Sequence, residues 1–493
     1  MKRSILSAVL LVSLVGCRST TPAQSQAHPT TLATTQGTTL QAKLDSILNR
    51  LASTGAVVSA RVIDPETKRE LFAQDAGRPV VPASNMKLTV TSAALDFFGP
   101  TASFDTDLYV VGQDLYLVGH GDPGTGDGAI LKKSNKDCTA VLDAWADELA
   151  ARGVTSLAGN LYYVDNAFER LQTHPSWDED DKTEWYAAPV GGLNFNDNCI
   201  DGIATPTSDG QPAKIEIVPA TSASVVLVNQ TTSGGEQTAD WSRAEGQNVY
   251  TAKGGVTKRT QLQSKPVTDP GSFFADALRT RLAEKGIKIA GATARAERLP
   301  TGTSTKLKPA TTKFTDILAR INKNSQNMMA EGTAKLLGRA HAIKGGDAKA
   351  VGSWSNADTA IRAYWQKEGI DASGFTFADG SGLSRDNRVT TRLISDILVS
   401  VYHSPNFDTF RESMSIAGVD GTTRARLSDK PNRVYCKTGY ISGVRSLSGY
   451  AKTDSGKWVV FSIIYNKIPG RGATSTKPYE QLQDEAVRVM MAE

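Results

Sequence analysis

Leu40, Leu44, Ile47, Leu48 and Leu51 recur at helical spacing, and the apolar run GAVVSARVID after them predicts a strand that ends at Asp64-Pro65. A dense apolar segment, KLTVTSAALDFF, then predicts a buried helix running up to Gly99-Pro100. From residue 101 to 265 the pattern changes to short alternating runs, DLYLVG, NLYYVD, KIEIVP and SVVLVN, separated by Gly, Asn, Asp and Ser. This is a β-rich insertion of one or two subdomains, interrupted by one helix around CTAVLDAWADELAARGV.

Helical spacing returns at DPGSFFADALRTRLAEKGI and continues through FTDILARI, NMMAEGTAKLLGRAH and NADTAIRAYWQKEG. Three strands follow, RVYCKTG, VRSLSGYAKT and KWVVFSIIYN, the last two joined at Asp454-Ser455-Gly456. A helix over PYEQLQDEAVRVMMAE closes the chain. The predicted fold is α/β: an antiparallel sheet covered by helices, a sandwich built from residues 40–100 and 266–493, with residues 101–265 inserted.

Charge narrows the function classes. The 55 basic and 51 acidic residues leave a net charge of +4, too balanced for a nucleic-acid partner or a polybasic membrane surface. The first 17 residues, MKRSILSAVLLVSLVGC, have two early positive charges and an apolar run too short to span a bilayer. They form a signal peptide, and Leu14-Val15-Gly16-Cys17 resembles the lipobox of bacterial lipoproteins, which places a lipid on Cys17. Residues 18–39 are mostly Ser, Thr, Gln, Ala and Pro and predict a disordered tether. Cys138, Cys199 and Cys436 remain, so at most one internal bridge forms, and a Cys138 to Cys199 pairing stays open. No metal-ligand spacing is present and no cofactor is expected.

The chemistry starts at PASNMKLT, residues 82–89, where Ser84 and Lys87 stand three apart. On a helix that spacing brings the amine to the hydroxyl, a nucleophile with its base. Histidine is the more usual base, but none of the five histidines lies in a triad motif, and DGSGLS at 379–384 does not fit GxSxG. A lysine serves only if its pKa falls from about 10.4 toward 7. Lys437, in the KTG at 437–439, stands on a predicted strand as the second positive charge that could supply much of that fall. Ser325 and Asn327 in KNSQN offer a hydroxyl to relay the proton and an amide to hold a substrate carbonyl.

SxxK, SxN and KTG in that order resemble the penicilloyl-serine enzymes. PASNMKL, NKNSQNMMAE, ADGSGLSRDN and CKTGYISGVRSLSGY are similar to the motif blocks of the D-alanyl-D-alanine carboxypeptidases/endopeptidases among the low-molecular-mass class C penicillin-binding proteins. The resemblance runs from about residue 40 to the end and implies a penicillin-binding-protein/β-lactamase-like sandwich whose large insertion lies between SxxK and SxN. It implies a lipid-anchored periplasmic serine DD-peptidase acting on peptidoglycan stem peptides, with β-lactams as covalent inhibitors.

Carried onto this chain, the resemblance makes Ser84 the acylated nucleophile and Lys87 its base. Ser325 passes the proton to the departing D-alanine, and Asn327 holds the peptide. Lys437, Thr438 and Gly439 form the strand that binds the terminal carboxylate, and the N–H groups of Ser84 and Tyr440 form the oxyanion hole. Tyr440 departs from the small hydroxyl residue common after KTG. The family's reading of the free end of diaminopimelate falls on Asp165 and Arg385, with Phe168 lining the same pocket. Two rivals stand beside this reading: a β-lactamase or esterase on the same scaffold, and an idle wall-binding lipoprotein. The first lacks a glutamate in a context suited to activating a deacylating water, and the second has no reason to retain all six motif residues.

Three weaker patterns are set aside. Gly119, Gly121 and Gly124 fit GxGxxG, but Pro123 stiffens a turn there. Asn194, Asn196 and Asn198 alternate like a calcium loop, but Cys199 occupies the glycine position. Ser404 and Asn406 form a second SxN around Pro405, in a predicted loop.

Overall fold

The three C-terminal runs pair with one another, and two N-terminal strands extend them. In the computed structural model, which describes residues 39–493, the order across the sheet is Ser415–Ile416, Val434–Ile441, Val444–Lys452, Trp458–Asn466, Val57–Asp64 and Arg69–Gln74. Every neighbouring pair is antiparallel. The leader, Cys17 and residues 18–38 of the tether lie outside the described residues.

The central strands are buried along almost their whole length, because helices cover both faces. Alternation along Trp458–Asn466 separates the two layers: Val460 and Ile464 pack into one core, Phe461, Ile463 and Tyr465 into the other. The helices Leu40–Leu48 and Gly472–Met491 close the second of these. On the opposite face lies Met86–Phe98, whose residues from Met86 to Leu95 are all buried, as the dense apolar pattern of that segment requires. Around it pack Phe314–Lys323, Asn327–Lys344 and Trp354–Glu368.

A further helix, Thr391–Tyr402, has no counterpart in the sequence reading. It is rich in Ile, Val, Ser and Thr, which are weak helix formers. Its stability comes from a Thr390 cap on the Leu393 N–H and from burying Leu393, Ile394, Ile397 and Leu398. The strand Arg69–Gln74 lacks a counterpart too, since it lies at the sheet edge and its residues, half of them polar, do not alternate.

Residues beyond Gly99 build a second core. A mixed sheet runs in the order Thr293–Arg295, Leu161–Val164, Asp114–Gly119, Ser103–Val111 and Thr305–Lys306, with Ala310–Lys313 also pairing to Ser103–Val111. Ala140–Ala151 and Pro270–Glu284 pack in the same core, where Trp145 stacks on Phe274. The expected end of the insertion at 265 thus falls inside this core, which continues through Phe273, Leu278 and Leu282 to Leu307. Helical periodicity shows that Pro270–Glu284 buries one face but not which core receives it. Smaller sheets around Cys199–Thr205 and Val249–Val256 complete the region. Cys138, Cys199 and Cys436 are buried and unbridged.

A segment from Asp165 to Asn198 returns from the second core to the first. Phe168 and Val190 pack in the first core and Phe195 in the second. Phe168 also bridges to Gly352 through backbone pairing. This arm reaches the chemistry described next.

Candidate active site

Ser84 sits in a single 3-10 turn, Ala83–Asn85, that feeds directly into Met86–Phe98. The turn is tied to the sheet: Asn85 Nδ2 donates to the Lys437 carbonyl at 2.7 Å, and Ser446 Oγ donates to the Pro82 carbonyl at 2.7 Å. Ala83 has φ of 47° and Ser325 has φ of 61°, left-handed conformations that non-glycine residues adopt at a cost of roughly 1–2 kcal/mol each. Both strained residues flank the cleft chemistry.

Lys87, the second residue of that helix and three positions after Ser84, is fully buried. Its Nζ lies 3.0 Å from Ser84 Oγ, 2.6 Å from Asn327 Oδ1 and 2.7 Å from the Ser381 carbonyl. Asn327 Nδ2 donates in turn to the Tyr186 carbonyl at 2.7 Å, which fixes the amide orientation because both outer partners would otherwise face the wrong atom. Burial lowers the Lys87 pKa to about 7, and Glu331 and Asp379 oppose that fall. Lys437 Nζ donates to Ser325 Oγ at 2.8 Å and to the Thr438 carbonyl at 2.9 Å. Burial, with the neighbouring Lys87 amine second, holds Lys437 well below the usual lysine range. The sequence predicts that Lys437 supplies much of the Lys87 shift; the fall comes instead from desolvation, because the amine is enclosed on all sides, and the repulsion between the two amines lowers Lys437.

These residues open onto a cleft of about 560 Å³ lined by Ser84, Ser325, Asn327 and Tyr440, with Asp178, Asp181, Tyr186 and Arg385 on its walls. Gly439 passes so close that a Cβ there would lie 2.9 Å from Ser84 N. Thr438 Oγ1 shares a hydrogen bond with Thr422 Oγ1 at 2.7 Å. Tyr440 is partly exposed, its ring 4.5 Å from the Arg445 guanidinium. A separate hollow of about 600 Å³, lined by Arg61, Lys367 and His403, contains none of the motif residues.

Residues 40–486 match the D-Ala-D-Ala carboxypeptidase 3 (S13) family. The chain belongs to this family. It is a serine D-Ala-D-Ala carboxypeptidase, and it is 31% identical to the D-alanyl-D-alanine carboxypeptidase of Actinomadura sp. (strain R39), over 92% of this chain and 85% of that one. Penicillin binding protein 4 (dacB) from Haemophilus influenzae shares its fold, with a TM-score of 0.71 at 22% identity, over 91% of this chain and 99% of that one. The same Haemophilus protein solved in complex with a β-lactam aligns with a TM-score of 0.66 at 21% identity, over 92% of this chain and 100% of that one.

In this S13 carboxypeptidase the six motif residues Ser84, Lys87, Ser325, Asn327, Lys437 and Thr438 converge, and Arg385 joins them on the cleft wall, where it donates to the Ser442 carbonyl at 3.0 Å. Asp165 and Phe168 do not. The Asp165 carboxylate is buried in ion pairs with Arg295 at 2.7 Å and Arg170 at 3.2 Å, and Phe168 is a core side chain against Gly121 and Gly352. The acids that line the same cleft as Arg385 come from later in the arm, Asp178 and Asp181, at the start of and within a 3-10 turn. Tyr186 Oη donates to Asp181 Oδ1 at 2.7 Å.

The sequence reading also missed two buried carboxylates. Glu331 accepts from the Ser381 N–H at 2.7 Å, the Gly380 N–H at 2.9 Å and Trp354 Nε1 at 2.7 Å. Asp379 accepts from the N–H groups of Gly382 at 2.7 Å and Ser384 at 2.6 Å, from Asn387 Nδ2 at 2.7 Å and from Trp177 Nε1 at 2.8 Å. A signal existed for the first: Glu331 stands four residues after Asn327, so both share one helix face.

Proposed function

We propose that Ser84 is the acylated residue of a DD-carboxypeptidase and DD-endopeptidase that acts on peptidoglycan stem peptides. Lys87, as the neutral amine, takes the Ser84 proton while Oγ attacks the carbonyl of the penultimate D-alanine. The N–H groups of Ser84 and Tyr440 hold the oxyanion. Ser325, hydrogen-bonded to Lys437, delivers its proton to the departing amine and is reprotonated by the proton that Lys87 took from Ser84, so the D-Ala-D-Ala bond breaks as the ester forms. Water then hydrolyses the ester and regenerates Ser84. Asn327 holds the peptide, while Lys437, Thr438 and Gly439 receive the terminal carboxylate. The reading rests on one observation: an amine with its pKa near 7 stands 3.0 Å from the Ser84 hydroxyl.

A β-lactam presents a reactive amide beside a carboxylate and takes the same path, so it traps the ester. For the acyl side of the peptide, Arg385 with Asp178 and Asp181 is the set that fits a side chain ending in both an amine and a carboxylate, as diaminopimelate does. They take the role first assigned to Asp165. Peptides ending in D-Ala-D-Ala, with that side-chain end free or capped, test the whole site. Wild type releases D-alanine faster from the free form, and Ser84→Ala releases none and takes no fluorescent penicillin. Equal rates on the two peptides would reject the Arg385, Asp178 and Asp181 assignment, and label on Ser84→Ala would reject the nucleophile.

Among the described residues no helix is long and apolar enough to cross a membrane. A lipid on Cys17 would hold the enzyme at the membrane in the periplasm, where its substrate lies. Cys17→Ser then loses incorporated labelled lipid and moves to the soluble fraction; retention in membranes would reject the anchor. The packing of residues 270–313 supports an accessory region of 101–313, with 40–100 and 314–493 as the catalytic part.

A further inference from the structure

The Lys87 amine has three polar neighbours. Two of them, Asn327 Oδ1 and the Ser381 carbonyl, can only accept. A neutral amine has two N–H bonds and one lone pair, so these two acceptors use its hydrogens and leave the lone pair facing Ser84 Oγ. The direction in which the base can pull therefore depends on where the Ser381 carbonyl points.

That carbonyl belongs to a loop pinned from behind. Glu331 binds the N–H groups of Gly380 and Ser381, and Asp379 binds those of Gly382 and Ser384. With four N–H groups of the loop turned toward two buried carboxylates, the Ser381 carbonyl faces Lys87. Both carboxylates are gripped by an indole, Glu331 by Trp354 and Asp379 by Trp177 of the inserted arm. All three donors to Glu331 are N–H groups, a set that only a pure acceptor satisfies.

We propose that Glu331 is a positioning residue for the acylation step: it holds the loop at 379–384 so that the Ser381 carbonyl orients the Lys87 lone pair toward Ser84. This rests on the reading of Ser84 and Lys87 given above. A negative charge on Glu331 also favours the protonated form of Lys87. The titratable groups facing Lys87 are Glu331, whose carboxyl is pushed up to about 7 by burial, Asp379 and Lys437. Those around Glu331 are Asp379, Lys87 and Lys335, the last ion-paired with Glu169 of the arm at 3.1 Å; His174 lies beyond, in the fields of Asp379 and Lys335.

Glu331→Gln keeps the shape, removes the charge and sets an amide N–H₂ against three N–H donors. Acylation by a fluorescent penicillin, followed against pH, should slow by about 100-fold, the cost of misplacing a reacting group by about 1 Å, with KM for the peptide nearly unchanged. Removing a negative charge lowers the Lys87 pKa, so the acid limb of the profile should move to lower pH. Trp354→Phe removes one N–H but keeps the carboxylate; it should slow acylation by about tenfold. Unaltered rates in either variant would overturn the proposal. So would a slower Glu331→Gln whose acid limb does not move, since that is what a purely structural role gives. Trp354→Phe keeps the test decisive if Glu331→Gln does not fold. Failure of wild type itself to take the label would count against the Ser84 reading instead.

Discussion

Lys87→Met folds, binds the stem peptide and acylates roughly 100- to 10,000-fold more slowly than wild type, the range that a positioned general base contributes. Methionine has nearly the length of lysine and no charge, so it enters a fully buried site without the desolvation that depresses the amine. Asn327 Oδ1 and the Ser381 carbonyl each lose a donor, at about 1–3 kcal/mol apiece, which the apolar side chain partly offsets. The melting temperature should therefore change far less than the rate. The pH profile supplies the second readout. With the Lys87 pKa near 7, wild-type acylation rises with pH through that region, because the neutral amine is the active form, and it falls as the pH drops below. Lys87→Met loses this limb. An acid limb that persists near pH 7 in the variant would mean that a group other than Lys87 sets it, Glu331 being the carboxyl that burial pushes up to about 7.

The parts of the site readable in the sequence were those that local geometry enforces. Ser84 and Lys87 meet because a helix places i and i+3 together, and the Lys437-Thr438-Gly439 run is straight because it lies in a strand paired residue by residue with Ser446 to Ser448. The six-stranded sheet was readable for the same reason at its C-terminal half. What stayed hidden depends on partners distant in sequence. Asp165 reads as a free acid at a strand end until Arg295, 130 positions later, pairs with it. Asp178 and Asp181 lie in the acidic run DEDD, which looks like a solvated turn, and only the return of the arm to the first core turns it into a cleft wall. Burial of Lys87 is likewise a property of the segments that Asn327 and Ser381 bring against it rather than of the helix that carries it. A spacing argument therefore found the amine but misjudged what lowers its proton affinity.

Gly439→Ala should cost about 100- to 1,000-fold in acylation, the loss seen when an oxyanion donor is removed, although the added group is a single methyl. The effect comes from space, not from the backbone angle. A Cβ at Gly439 would lie 2.1 Å from Ser446 Oγ, 2.9 Å from Ser84 N and 3.0 Å from the Pro82 carbonyl oxygen. Ser446 Oγ is the donor that holds that same carbonyl, so the methyl displaces the clamp and presses on the turn it secures. Ser84 N–H and the N–H of Tyr440, next along the strand, then no longer converge on one oxygen. Overpacking of this kind typically costs about 1–3 kcal/mol of stability, so the variant should melt lower yet remain folded. Adding Ser446→Gly removes the nearest obstacle but also the clamp on the Pro82 carbonyl, and it leaves the contact with Ser84 N, so the double variant should recover only part of the rate. Full recovery would mean that the Ser84 turn never moved, and that the close approach of this strand serves packing rather than the oxyanion.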